Sequence, residues 1–257
     1  MQIFRLCRPK TNICFFTWGL LLLLACFSTG CNDKEAKPSA PDSIWAAAMN
    51  GNEKRVNELL RQGADINQKH PKSMETPLHF AVAYSKNHDF IRFLLKSGAK
   101  IDLLESHGYS PLFFAIHVKD PIAAEILLQN GAKTDIQGKK NGLSPLHFAV
   151  ADGQIEIVKL LISYGANINL KAINGGLSPL HLAISNKNQI LVKYLIENGA
   201  DLEQREDYSG YTPVQFAARK GFTDMVALLI ELGAKPETQA IKDFPDAVKM
   251  VEEARKK

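Results

Sequence analysis

The chain has 257 residues, 46% of them hydrophobic and 23% charged, and a formal net charge of +4. That length suffices for one buried core or one extended array. Positions 1–30 hold three basic residues and no acid, so the remainder carries 28 basic against 27 acidic residues, a balance that excludes nucleic-acid binding driven by a global field.

The first elements in chain order are an export signal and a tether. Arg5, Arg8 and Lys10 form a basic start, Ile13 to Phe27 an uncharged and mostly apolar run, and Ser28-Thr29-Gly30 a small-residue ending before Cys31. The run falls short of the roughly 20 apolar residues that a spanning helix needs, so residues 1–30 read as a signal peptide. Their ending resembles the lipobox of bacterial lipoproteins. The resemblance implies cleavage before Cys31 and lipidation of its thiol, which becomes the anchor. Phe27-Ser28 depart from the leucine that many lipoboxes place there, and Cys26 is a second, poorer candidate. Residues 31–41, with Asn32 to Ala40 reading NDKEAKPSA, are polar and read as a flexible tether of roughly 33 Å when extended. All four cysteines (Cys7, Cys14, Cys26, Cys31) precede residue 32, so the chain beyond that point has no disulfide, thiol nucleophile or cysteine metal site.

Residues 42–236 repeat. Prolines recur at Pro77, Pro111, Pro145, Pro179 and Pro213, each 34 residues from the last, and Gly-Ala pairs recur at Gly63, Gly98, Gly131, Gly165, Gly199 and Gly233. The stretch Ser144 to Ala166 shows the unit whole. Ser144 caps a helix, Pro145 fits its first position, and Leu146 to Val150 are apolar. Asp152-Gly153 break it, Ile155 to Ile162 form a second helix with a wide apolar face, and Gly165 ends it in a left-handed conformation. The first unit lacks the proline, with Ser43 at its place. Unit two has one extra residue between its helices, near Tyr84–His88, and the finger loop of unit three is one residue shorter. Residues 237–257 read as a capping helix, with Ala247, Val248, Val251 and Ala254 on one face.

A period of roughly 33 residues with a T-P-L-H-x-A core resembles the ankyrin-repeat family. The motif stands here as Thr76-Pro-Leu-His-Phe-Ala, Ser144-Pro-Leu-His-Phe-Ala and Ser178-Pro-Leu-His-Leu-Ala, with looser copies at Ser110 and Thr212. The resemblance implies an all-α solenoid of about six stacked helix-turn-helix units with finger loops. It also implies that His79, His147 and His181 hydrogen-bond within and between loops.

No catalytic spacing is present: there is no G-x-S-x-G, H-E-x-x-H, P-loop or calcium-loop pattern. Gly138 to Gly142 is basic and glycine-containing but falls where a finger belongs. His107 and His117 lack the third ligand of a zinc site. The expectation is therefore no enzyme, no cofactor and no metal. The resemblance instead implies a protein-binding groove whose variable positions fall on Tyr84, His107, Tyr109, His117, Lys139, Lys140, Leu143, Asp152, Leu177, Asn186, Tyr208, Tyr211, Arg219 and Lys220. Tyr84, Tyr109, Tyr208 and Tyr211 lead, because tyrosine combines area with hydrogen bonding, and Arg219 and Lys220 suit an acidic partner. The expected function is a monomeric, lipid-anchored interaction module binding a protein partner in the bacterial cell envelope, facing the periplasm or the exterior. The alternatives are a secreted or injected effector that binds a host protein and, behind it, a metal-dependent enzyme.

Overall fold

The computed structural model describes residues 43–235 together with 249, 252 and 253. The signal peptide, Cys31 and the tether lie outside the described residues. Of the expected C-terminal cap, Lys249, Glu252 and Glu253 are helical and exposed. The rest of that stretch also lies outside.

The described residues between 43 and 235 form helix pairs, one pair per unit. The inner helices are α1 (Ile44–Met49), α3 (Pro77–Phe80, continued by a π turn over Ala81–Ser85), α5 (Pro111–His117), α7 (Pro145–Ala151), α9 (Pro179–Ser185) and α11 (Pro213–Arg219). The outer helices are α2 (Glu53–Arg61), α4 (His88–Lys96), α6 (Pro121–Gln129), α8 (Ile155–Ser163), α10 (Gln189–Glu197) and α12 (Thr223–Glu231). No described helix is long and apolar enough to cross a membrane. Isolated helices shorter than about 12–15 residues are marginal in water, so these depend on packing. Leu78, Leu112, Leu146, Leu180 and Val214 from the inner helices are each at most 1% exposed. Leu94, Leu127, Leu161, Leu195 and Leu229 from the outer helices are fully buried, as is the alanine column Ala81, Ala115, Ala149, Ala183 and Ala217.

Two irregularities have local causes. Ser43 accepts from the Ala46 N–H at 3.2 Å and so holds the cap position, which puts Ile44 in the place of the proline. The expected register was one residue off because Ser43 and Thr76 are 33 residues apart, against 34 for the later caps. The extra residue of unit two is absorbed by the π turn, whose wider loop takes one more residue than an α turn, and the Ser85 hydroxyl closes it by donating to the Ala81 carbonyl at 2.6 Å.

The turn between the two helices of each unit needs a left-handed residue. Glycine holds it at Gly51, Gly153 and Gly221, with φ of 62°, 69° and 72°. Lysine holds it at Lys86, Lys119 and Lys187, with φ of 50°, 57° and 55°. A residue with a Cβ costs on the order of 1 kcal/mol more than glycine in that region.

Three sets of hydrogen bonds tie unit to unit. On the outer edge, Asn67, Asp102, Asp135, Asn169 and Glu203 accept from the backbone N–H of Lys100, Lys133, Asn167, Asp201 and Lys235, at 2.7–3.1 Å. At the fingers, the N–H groups of Ser106, Lys139, Ile173 and Asp207 donate to the carbonyls of Ser73, His107, Gly142 and Gly175 in the preceding unit.

The third set runs through the buried histidines. Nδ1 of His79, His147 and His181 accepts from the N–H of Thr76, Ser144 and Ser178 at 3.1–3.4 Å. The proton therefore sits on Nε2, which donates to the carbonyls of Tyr109, Leu177 and Tyr211 in the next unit at 3.2, 3.0 and 3.4 Å. Each neutral ring thus closes its own capping box and docks the following finger. Burial, the largest cause, pushes all three rings down to about 4 from an ordinary 6.5, against the opposing effect of the backbone hydrogen bond. Unit six keeps the box with Gln215, whose Oε1 accepts from the Thr212 N–H at 3.0 Å. Unit three has Phe113 instead, and the buried Ser110 hydroxyl is left without a partner. Phe113 packs on Tyr109 and Phe148, with ring centroids 4.7 and 5.0 Å away.

Burial of these rings makes the array acid-sensitive. The unfolded histidines bind protons near 6.5 and the folded ones near 4, so stability is full above the first value and falls as the pH drops toward the second. The loss is on the order of 3 kcal/mol per ring, and urea titrations across this pH window measure it. Ser144→Ala should cost about 1 kcal/mol, whereas Ser110→Ala, which removes a hydroxyl with no partner, should cost no more than about 0.3 kcal/mol by the same assay.

Candidate functional site

The fingers and the exposed ends of the inner helices form the face that the sequence marked for binding. Two buried carboxylates shape the fingers there. Glu105 accepts from the N–H groups of His107 and Tyr109 at 2.8 and 3.1 Å. Glu206 accepts from those of Tyr208, Ser209 and Tyr211 at 2.6, 2.8 and 3.2 Å. Each satisfies the N–H groups of a tight turn and so presents the residues at its tip. Sequence reasoning missed both. The available signal was an acid four or five residues before the tyrosine of a Gly-Tyr pair, in ESHGY and EDYSGY.

Most of the expected residues stand on the surface. Tyr208 is 75% exposed and Tyr84 is 41% exposed. His107, Lys139 and Lys140 are exposed at the tips of adjacent fingers, and His117 and Asp152 at the ends of α5 and α7. Nδ1 of His107 lies 3.0 Å from the Glu105 carboxylate. Burial, reinforced by Lys119, holds the His117 ring below its ordinary value, and Asp152 opposes the shift. Four further residues are half-buried and work between units. Leu177 packs on the core and its carbonyl receives the His147 bond. Asn186 donates to the Ala151 carbonyl at 2.7 Å. The Arg219 guanidinium covers the Tyr211 ring at 5.3 Å and donates to the Ser209 hydroxyl at 3.2 Å. Lys220 lies 5.6 Å from the Phe216 ring centre, and burial followed by Arg219 lowers its ammonium below the usual lysine range.

Two expected contact residues are not available to a partner. Tyr109 is 7% exposed and Leu143 is 6% exposed. Tyr109 lies over Gly138, where a Cβ would overlap its ring, and its hydroxyl accepts from the Asn141 side chain at 2.9 Å. With histidine absent from unit three, this tyrosine fills the space between fingers and packs with Phe113 and Phe148. Leu143 joins the same core and its carbonyl accepts from the Gly138 N–H. Among the described residues, no group of three or more His, Cys, Asp or Glu side chains is placed to hold a metal ion.

Stacked helix pairs that carry their variable residues on fingers and helix ends define a repeat scaffold that acts through its surface. The chain belongs to the ankyrin-repeat family. The family model for ankyrin repeats in three copies matches residues 43–138, 107–172 and 171–240. The structure is similar to the ankyrin repeat domain of Bcl-3, a member of the IkappaB protein family, with a TM-score of 0.69 and 28% identity over 75% of this chain and 86% of that one. It is similar to the human ASB11 ankyrin repeat domain with a TM-score of 0.61 and 28% identity over 76% of this chain and 85% of that one. In sequence it is 33% identical over 99 residues to alpha-latrotoxin-Lhe1a of Latrodectus hesperus, which is 38% of this chain and 7% of the toxin. It is 30% identical over 81 residues to human SH3 and multiple ankyrin repeat domains protein 2, which is 32% of this chain and 4% of that protein. The matched stretch is therefore under a tenth of the length of either relative. The repeat domain is an ankyrin-type protein-interaction module, a fold that typically serves as a non-enzymatic scaffold.

Buried and exposed tyrosines of this face should separate cleanly. Tyr109→Ala should destabilise the array by about 3 kcal/mol or more, because a packed aromatic leaves a cavity. Tyr208→Ala should stay within about 0.5 kcal/mol of the parent, as surface substitutions do. Chemical denaturation of both variants measures the difference.

Proposed function

We propose that this chain is a monomeric, lipid-tethered interaction module outside the bacterial cytoplasm, which holds one protein partner against its fingers and inner-helix ends. The observation that carries the reading is the exposed row of Tyr84, His107, Lys139, Lys140 and Tyr208, presented from four units by fingers and turns that the scaffold itself braces. Large aromatic and basic side chains at such positions are the usual anchors of binding energy. The tethering half of the proposal rests on the basic start, the short apolar run and the small residues before Cys31. A diacylated or triacylated cysteine would anchor firmly, since each buried CH₂ contributes about 0.8 kcal/mol. The polar stretch after it would lift the array clear of the membrane.

Crosslinking in the native cell tests both halves. Wild type should capture one envelope protein that a Lys139→Ala/Lys140→Ala/Tyr208→Ala variant captures at least about tenfold less, a loss of roughly 1.4 kcal/mol. Cys31→Ala should shift the protein from the detergent phase to the aqueous phase. Equal capture by wild type and the finger variant would reject the binding face, and unchanged partitioning of Cys31→Ala would reject the anchor.

A further inference from the structure

The turns between inner and outer helices occupy the same place in every unit, so they stand in a row along the array. In units two to six, the last residue of the inner-helix end and the left-handed residue after it are Ser85-Lys86, Val118-Lys119, Asp152-Gly153, Asn186-Lys187 and Lys220-Gly221. The row thus carries four lysines and one acid. Three of the lysines hold the left-handed position itself, where Gly51, Gly153 and Gly221 serve equivalent turns in other units. The turn does not require lysine, and the conformation disfavours it; among residues with a Cβ, asparagine and aspartate are the ones that tolerate this region. A disfavoured backbone choice repeated three times in one row, each time with the same charge, points to a use for that charge.

Two of these side chains lean along the row. The Lys119 ammonium lies 4.0 Å from the Asp152 carboxylate of the next unit, and the Lys187 ammonium lies 4.5 Å from the centre of the Phe222 ring of the next unit. Lys86, Lys119 and Lys187 are all exposed. The outer helices show no such bias, carrying eight acids and seven bases. Just beyond the turns, exposed Asp89, Glu156 and Asp224 open three of those helices.

We propose that the lysine row is the docking line for an extended acidic segment of the protein partner, an inference that rests on the interaction-module reading above. The charge pattern favours a polypeptide over an anionic membrane. The basic line is narrow and is bordered by the acids of the outer helices. A flat bilayer would meet both, and the acids would repel it. A single extended chain can lie along the lysines alone, meeting a positive site in units two, three, five and six and few of the acids.

The test uses the full-length chain, a fluorescein-labelled oligoglutamate peptide and phosphatidylglycerol vesicles. Wild type should bind the peptide, more weakly as salt is added. Lys86→Gly/Lys119→Gly/Lys187→Gly should bind it about tenfold or more weakly while its melting temperature is unchanged or higher, because glycine relieves the left-handed turns. Lys86→Arg/Lys119→Arg/Lys187→Arg should retain binding. Equal peptide binding by the glycine variant, no peptide binding by wild type, binding of vesicles in place of peptide, or a lower melting temperature in the glycine variant would each overturn the proposal. Native-cell crosslinking separates the two readings. A partner kept by the glycine variant but lost by the finger variant overturns the lysine row and leaves the interaction face standing. A partner kept by both overturns the face.

Discussion

A neutral imidazole bonded at both nitrogens is the contact on which this array depends most. Nδ1 takes the N–H of the residue that caps its own inner helix, and Nε2–H reaches the carbonyl just before the cap of the next one. Helices of seven and nine residues cannot persist alone, so the unit boundary has to be specified as well as greasy. The apolar columns supply attraction without direction. The histidines, the outer-edge Asn and Asp side chains, and the finger-to-finger backbone bonds supply the register. Because the rings are fully buried among satisfied polar groups, they are neutral, and protonation would set two donors against each other at Nδ1.

Where the repeat departs from its own rule, the structure repairs the departure nearby. Phe113 abandons the capping box and strands the Ser110 hydroxyl, and the loss is met by an aromatic cluster with Tyr109 and Phe148. Gly138 is the condition for that cluster, since only a residue without a Cβ leaves room for the Tyr109 ring. The inserted residue of unit two is taken up in one π turn, and the finger of unit three, one residue shorter, restores the 34-residue spacing of the later units. Repeat proteins tolerate such local repairs because each unit answers only to its neighbours.

The surface follows different rules from the core. Glu105 and Glu206 are buried acids whose work is to hold turns, yet their effect is to present His107 and Tyr208 outward. The left-handed lysines reverse the usual economy of a turn, accepting a strained backbone in return for a charge at a defined place. Stability and recognition are thus separable here. The first lies in the columns and ladders, and we propose the second in finger tips and turn residues that the scaffold can change without refolding.

The repeat, and the ankyrin resemblance it carries, determined the fold class of this protein, its unit count and most of its helix starts, because Pro-x-His spacing and Gly-Ala pairs act locally, through capping and left-handed termination. The structural role of His79, His147 and His181 came from the ankyrin resemblance, since the Nε2 bond reaches a carbonyl 30 residues away that spacing alone does not reveal. The tertiary structure decided which groove residues face solvent. Tyr109 and Tyr211 stand at the same place, one residue before the cap of an inner helix, yet Tyr109 is buried and Tyr211 only half-buried, while Tyr208, three residues earlier in its finger, is exposed. The difference lies in what faces each ring: the neighbouring finger offers Gly138 to Tyr109, and no residue type at the tyrosine itself encodes that space. The left-handed backbone at Lys86, Lys119 and Lys187 was half legible: Lys119 and Lys187 stand 34 residues either side of Gly153, but the φ angle is what shows that they keep its left-handed turn.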